Sequence, residues 1–173
     1  MATPRDWATG YLGQAREDLA AAKALQGTAP SVVAMLLQMV FEKLGKAALL
    51  RSNQMTVHGA QASHAAASRM LAAIRRNRSL LRRLGNGYEH AWKDVMPVVT
   101  ELERLHPAIA VHRGGSREPC LEYPWEDASG TVKWPARDLP MVPRLRDPRL
   151  QLGSRLVRFA NQLAGDFDEL FPE

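Results

Sequence analysis

The stretch Ser31–Leu50 reads SVVAMLLQMVFEKLGKAALL, an apolar run that carries one glutamine, one glutamate and two lysines. Met35, Met39, Glu42, Lys43, Lys46 and Leu50 follow three- and four-residue steps, so the spacing predicts a helix. Glu42 and Lys46 stand one turn apart and can pair. A charged pair in so apolar a helix has two readings. It marks the edge where the helix meets solvent, or it fixes how neighbouring helices dock, in a groove or at a partner interface. Lys43 belongs to the same cluster.

Working outward, the flanking segments also read as helices. Upstream, Trp7, Tyr11, Ala15, Leu19, Ala22 and Leu25 trace one stripe over residues 7 to 26, ended by Gln26-Gly27-Thr28-Ala29-Pro30. Ser31 can cap the second helix, and Thr28 is an equally good cap with Pro30 in the first turn. So short a link predicts antiparallel neighbours. Downstream, residues 53 to 58 break the pattern. A third helix is expected from about Gly59 to Asn77, with Ala62, Ala66, Met70, Ala73 and Ile74 inward; its alanines imply close helix contact. Gly85 and Gly87 interrupt the chain. A fourth helix fits Tyr88 to His106, with Trp92, Val95, Val99, Leu102 and Leu105 or His106 on the buried side, and Pro97 should kink it.

Residues 107 to 147 hold six prolines and no clear helical stripe. Within them, Cys120–Trp125 and Thr131–Trp134 flank Glu126–Gly130. That pattern fits a small β-hairpin turning at Ser129-Gly130, or an irregular flap pinned by Trp125 and Trp134. A last helix is expected from Arg149 to about Leu170, with Leu152, Leu156, Phe159, Leu163 and Phe167 inward. The expected fold is all-α: an antiparallel bundle of four to five helices with an irregular or hairpin insertion around residues 107–147.

Composition bounds the remaining possibilities. A length of 173 residues suits one domain, 1–173, and an apolar content of 46% supplies a core. The apolar run Val32–Leu37 is broken by Glu42 and Lys43, well short of the roughly 20 residues a membrane span needs. The N-terminus lacks the basic, apolar, small-residue order of a signal peptide, so a cytoplasmic home is expected. The single cysteine, Cys120, excludes an internal disulfide framework and a cysteine-rich zinc site. The net charge is +5, and most basic residues are arginines, which form bidentate contacts that lysine cannot. That balance permits an anionic partner. The densest basic segment is Arg75-Arg76-Asn77-Arg78-Ser79-Leu80-Leu81-Arg82-Arg83, with five arginines in nine residues. If helical, Arg75, Arg78 and Arg82 share a face that could neutralise several phosphates. A solvated helix end, with arginines favouring the C-terminus or paired to the acidic tail (Asp166, Asp168, Glu169, Glu173), is the plainer alternative.

The helical pattern resembles the HEPN family. The resemblance rests on Asp18-Leu19-Ala20-Ala21-Ala22 in the first helix and on Gln38-Met39-Val40-Phe41-Glu42-Lys43-Leu44-Gly45-Lys46-Ala47 in the second. Ser63-His64 is similar to the Ser-His or Thr-His step of many members, and Tyr123-Pro124 to a late Tyr-Pro in several subgroups. The resemblance implies an all-helical bundle, often a homodimer. Members are commonly encoded beside nucleotidyltransferases or act in toxin–antitoxin and antiviral systems. It implies a nucleotide, RNA or partner-protein ligand, the partner coming from a neighbouring gene; separately, no cofactor is expected.

Catalytic HEPN members carry an arginine, four to six residues and a histidine. Arg51–His58 fits that spacing with polar Ser52 second, and Arg83–His90 fits it with Leu84 second. The chemistry would need no metal. A histidine takes the proton of a 2′-hydroxyl, the oxygen attacks the neighbouring phosphorus, and an arginine stabilises the charge that builds on the phosphate. His64 reads chiefly as a tie between helices. No metal-ligand spacing is present: His58 and His64 lack an adjacent carboxylate, and His106 and His112 flank Pro107 without nearby acids. Arg113-Gly114-Gly115-Ser116-Arg117 lacks the length and lysine of a P-loop and reads as a solvated loop, though its backbone N–H groups and arginines could meet one phosphate.

Overall fold

The computed structural model describes residues 2–84, 88–110 and 118–172, and for residues 88–91 the backbone only. Helix α1 spans Pro4–Ala24, three residues earlier than the stripe predicts, because Thr3 and Asp6 form a capping box. The Thr3 hydroxyl accepts the Asp6 N–H at 3.2 Å, and the Asp6 carboxylate accepts the Thr3 N–H at 2.7 Å. The face α1 buries is Ala8, Leu12, Ala15, Leu19 and Ala22. Trp7 and Tyr11 therefore slide to its margin, and Trp7 stays 36% exposed. Gly27, at φ +89°, allows the chain to reverse, and α2 runs from Pro30 to Arg51. Neither expected cap is used: Ala29 precedes Pro30 without a side-chain bond, and the Thr28 hydroxyl donates back to the Leu25 carbonyl at 3.0 Å.

Helix α2 is the central element. It packs against α1 and, further along the chain, against α4 (Ala66–Arg76), α6 (Tyr88–Arg104), α8 (Met141–Arg146) and α9 (Leu152–Gly165). The expected third helix is two: α3, Val57–Ala62, capped by the Thr56 hydroxyl, and α4 after a break at Ser63–Ala65. The break follows from a close crossing. A Cβ at Gly45 would lie 2.4 Å from the Ala66 carbonyl oxygen, so α4 starts directly upon α2 where only glycine fits. Buried Ala66, Ala67, Met70, Leu71 and Ile74 line that contact, and Ala62 is exposed. Helix α5, Arg78–Leu84, follows Asn77, whose side-chain oxygen accepts the N–H groups of Ser79 and Leu80. Pro97 lies inside α6, whose buried face is Trp92, Val95, Val99 and Leu102, as the stripe predicts. The interruption expected at Gly85 and Gly87 lies outside the described residues.

The proline-rich insertion does form a hairpin. Strands β1 (Trp125–Glu126) and β2 (Val132–Lys133) pair antiparallel, with Trp125 opposite Lys133. The Asp127 carboxylate accepts the N–H groups of Ser129 and Thr131, and Gly130 takes φ +80°. The segment is not free of helix, however. Short helices α7 (Pro135–Asp138) and α8 follow, started by the prolines that obscured their periodicity. The final stripe is buried throughout, but it divides at Asp166 into α9 and α10 (Phe167–Leu170). Phe159 of α9 meets Phe41 of α2 and Trp92 of α6, with ring centroids 6.0 and 5.9 Å away. The molecule is thus an all-α bundle with a small antiparallel hairpin. No described helix is long and apolar enough to cross a membrane.

Candidate functional site

Two charged regions stand apart from this apolar frame. The first is centred on Glu42. Glu42 and Lys46 are only 8% and 5% exposed, which excludes the solvent-edge reading of the pair and leaves the docking one. Oε1 of Glu42 accepts from Lys46 Nζ at 2.6 Å and faces His64 Nδ1 at 3.3 Å; Oε2 accepts from Gln38 Nε2 at 2.8 Å. His106 Nε2 lies 3.9 Å from Oε2. Helix α2 supplies the carboxylate, the α3–α4 break supplies His64, and the chain just beyond α6 supplies His106. The two imidazoles stack at 4.0 Å between centroids and 18° between planes. One buried anion therefore joins three parts of the bundle.

Electrostatics favour the ionised form of Glu42. Burial pushes the Glu42 carboxyl up, but the hydrogen bond and charge of Lys46, aided by Gln38 and His106, more than offset it, so the group lies below the usual carboxylate range. His64 Nδ1 faces that anion at hydrogen-bonding distance, and in the tautomer that donates from Nδ1 the ring's lone pair lies on Nε2. His106 is arranged the other way. Its Nδ1 accepts the Ala108 N–H at 3.1 Å, so the proton of the neutral ring sits on Nε2, toward Glu42. Burial, then repulsion from His64, hold its pKa below the ordinary histidine value, against the opposing pull of Glu42 and Glu122.

Glu42, His64 and His106 bring three ligand-type atoms within 4.8 Å of one another, a span one divalent ion could bridge. Sequence spacing gave no sign of this grouping, because the residues are distant in the chain. The donor set nevertheless fits a hydrogen-bonded centre better than a metal. Lys46 already occupies Oε1, and the Ala108 N–H would clash with the protonated Nδ1 that an Nε2-ligating histidine requires.

At the margin of this centre, Lys46 lies 5.5 Å from the centroid of the Tyr11 ring, whose hydroxyl is pushed up in pKa by burial and then by Glu42. Lys43, one residue along, points elsewhere and pairs with buried Asp18, which also accepts from Gln14 at 3.0 Å. A second buried carboxylate, Glu103, accepts from both the backbone N–H and the hydroxyl of Ser68, fastening α4 to α6.

The expected Arg/His pairs fall differently. Arg51 is engaged by the C-terminal segment: its guanidinium pairs with Asp168, donates to the Phe171 carbonyl at 3.3 Å and lies 4.9 Å from the Phe167 ring centroid. Its side chain is 6% exposed. His58 is exposed on α3, with no hydrogen bond or ion pair among the described residues. Arg83 donates to the Glu169 carbonyl, so both motif arginines converge on α10. The His90 side chain, His112 and the Arg113–Arg117 loop lie outside the described residues, as does Glu173.

The second charged region is the end of α4 and all of α5. Arg75, Arg76, Arg78, Arg82 and Arg83 are exposed. Arg83 alone of the five has a hydrogen bond or ion pair among the described residues. Asp168 pairs with Arg51 and not with this face. No protein-family model matches the chain, and neither a curated protein nor a solved structure shows significant similarity to it.

Proposed function

We propose that this chain is a helical module that binds RNA through the arginine face of α4 and α5. The observation that carries the reading is that Arg75, Arg76, Arg78 and Arg82 are exposed and lack acidic partners among the described residues. Unpaired guanidinium groups clustered on one short segment suit a phosphate backbone, because each contact releases condensed counterions. The net charge of +5 favours the same class of ligand. The resemblance to HEPN proteins points that way too, and to a symmetric homodimer in a toxin–antitoxin or antiviral setting. Fluorescence anisotropy with a labelled single strand at about 50 and about 200 mM salt tests the binding. Affinity that falls with salt, and falls again in Arg78→Gln/Arg82→Gln, supports it; binding indifferent to both refutes it.

A second reading, metal-independent cleavage of the bound RNA, is favoured by one observation: the buried Glu42 carboxylate faces His64 Nδ1 at 3.3 Å, the arrangement of a general base backed by a carboxylate. Arg51, fastened to Asp168, would then position α10 and not clamp a phosphate. In EDTA, cleavage should leave 2′,3′-cyclic phosphate ends. Loss in His64→Ala, with activity retained in His58→Ala and His90→Ala, assigns the base; RNA left intact by the unmodified protein removes this reading and leaves the binding one.

A further inference from the structure

Beside the arginine face lies a cavity of about 310 Å³, bounded by the end of α2, by α4 and α5, and by Leu170–Pro172. Its floor is apolar: Leu49, Met70, Leu170 and Phe171 are buried, and Leu80 forms a wall. Its rim is polar, formed in part by Gln54, Asn77, Ser79 and Arg83. The rim groups retain unused hydrogen-bonding capacity. Asn77 employs its oxygen on the Ser79 and Leu80 N–H groups, which leaves its amide NH₂ without a partner among the described residues. The Gln54 side-chain amide and the Ser79 hydroxyl likewise have none there. Arg83 donates to the Glu169 carbonyl through Nη1 and keeps further N–H groups.

The register of α5 places this cavity against the charges. Ser79 and Arg83 are four residues apart and both line the cavity, whereas Arg78 and Arg82, also four apart, occupy the adjoining face of the helix. An apolar cavity with a rim of amide and hydroxyl groups suits a nucleobase, whose faces are apolar and whose edges carry donors and acceptors. The cavity is at the small end of ligand pockets, roughly 300–1,000 Å³, so it takes one heterocycle and not a folded segment. Charge complementarity selects the occupant. An apolar side chain of a partner protein would leave Arg83 and the adjoining arginines unanswered, whereas a base brings its own phosphates.

We infer that the cavity beside α5 receives one unstacked base of a single-stranded RNA whose adjoining phosphates lie on Arg78, Arg82 and Arg83. The inference rests on the RNA reading above and adds a base pocket to it. Insertion of a base into an apolar pocket typically adds about tenfold or more in affinity over the backbone alone.

The test compares a labelled single-stranded RNA with a strand of the same length whose sugars carry no bases. Both should bind in a salt-dependent way, with the intact strand about tenfold tighter. Ser79→Trp, an exposed rim position where an indole would fill the mouth, should bring the intact strand down to the level of the abasic one and leave the abasic affinity unchanged. An independent reading avoids any variant: in protein labelled at its methionine methyls, the Met70 signal should shift with the intact strand and not with the abasic one. Equal affinities for the two strands, with Met70 unmoved, would overturn the pocket while leaving the arginine face standing. Failure of both strands to bind would overturn the RNA reading and the pocket with it.

Discussion

The Glu42 centre and the arginine face are both charged, and they differ in whether the charge is answered within the fold. At the centre, Lys46, Gln38 and His64 surround one buried carboxylate. On α4–α5, four arginines extend into solvent with no acid beside them among the described residues. Burial is tolerable only when such partners are present, since an isolated buried charge costs several kcal/mol. Exposure removes that requirement, so charges on the surface are free to meet an external ligand. Charge therefore serves cohesion at the centre, and on α4–α5 it stays open to the proposed ligand.

That contrast predicts a graded set of responses. Glu42→Ala should be the most damaging single change, about 3–5 kcal/mol less stable by chemical denaturation, because Lys46 is left buried and unpaired. A loss under about 1 kcal/mol would show that the centre is already well hydrated. Gly45→Ala comes next. Its new methyl would overlap the Ala66 carbonyl, and the shift of α4 should cost about 1–3 kcal/mol while displacing His64 from Glu42.

Acid should act through His106. Its folded pKa lies below the ordinary value of 6.5, so the unfolded chain binds the proton more readily. Its contribution to stability is present above that value and is lost as pH falls through the folded pKa. Glu42, lowered from 4.5, adds a second loss at lower pH. Thermal melts between about pH 7 and pH 5 should therefore show Tm falling with acidification, and His106→Asn should flatten that limb. Arginine substitutions should have the smallest effect on stability. Arg75→Gln, Arg76→Gln, Arg78→Gln and Arg82→Gln are each expected within about 0.5 kcal/mol of the unmodified protein.

Legibility in the sequence followed the same division. The final stripe, Leu152 to Phe167, could be read directly because every position is buried by one apolar surface. The first stripe was offset, because it gave weight to the large rings of Trp7 and Tyr11, whereas α1 packs through smaller Ala8 and Leu12. The break at Ser63–Ala65 had no proline to announce it; it arises from the crossing of Gly45 over Ala66, a tertiary constraint. In the insertion the reverse held, and prolines that suggested irregular chain stand at the starts of α7 and α8. Glu42 and Lys46 stand out as a charged pair in an apolar helix, and His64 reads as a tie between helices. Their fourth member, His106, does not stand out, although its permitted place on the buried side of the fourth helix was the available signal. Residues 64 and 106 meet only through the folded bundle, and no local spacing encodes that meeting.

The most direct test of the arginine face is the slope of log affinity against log salt for single-stranded RNA, measured for the unmodified protein and for the variant with Arg75, Arg76, Arg78 and Arg82 all changed to Gln. Each phosphate contact contributes about −0.7 to that slope. The unmodified protein should give a steep negative slope, and the variant a slope shallower by about 2 to 3 with melting unchanged. An identical slope in the two proteins would place the binding charge elsewhere and contradict the account.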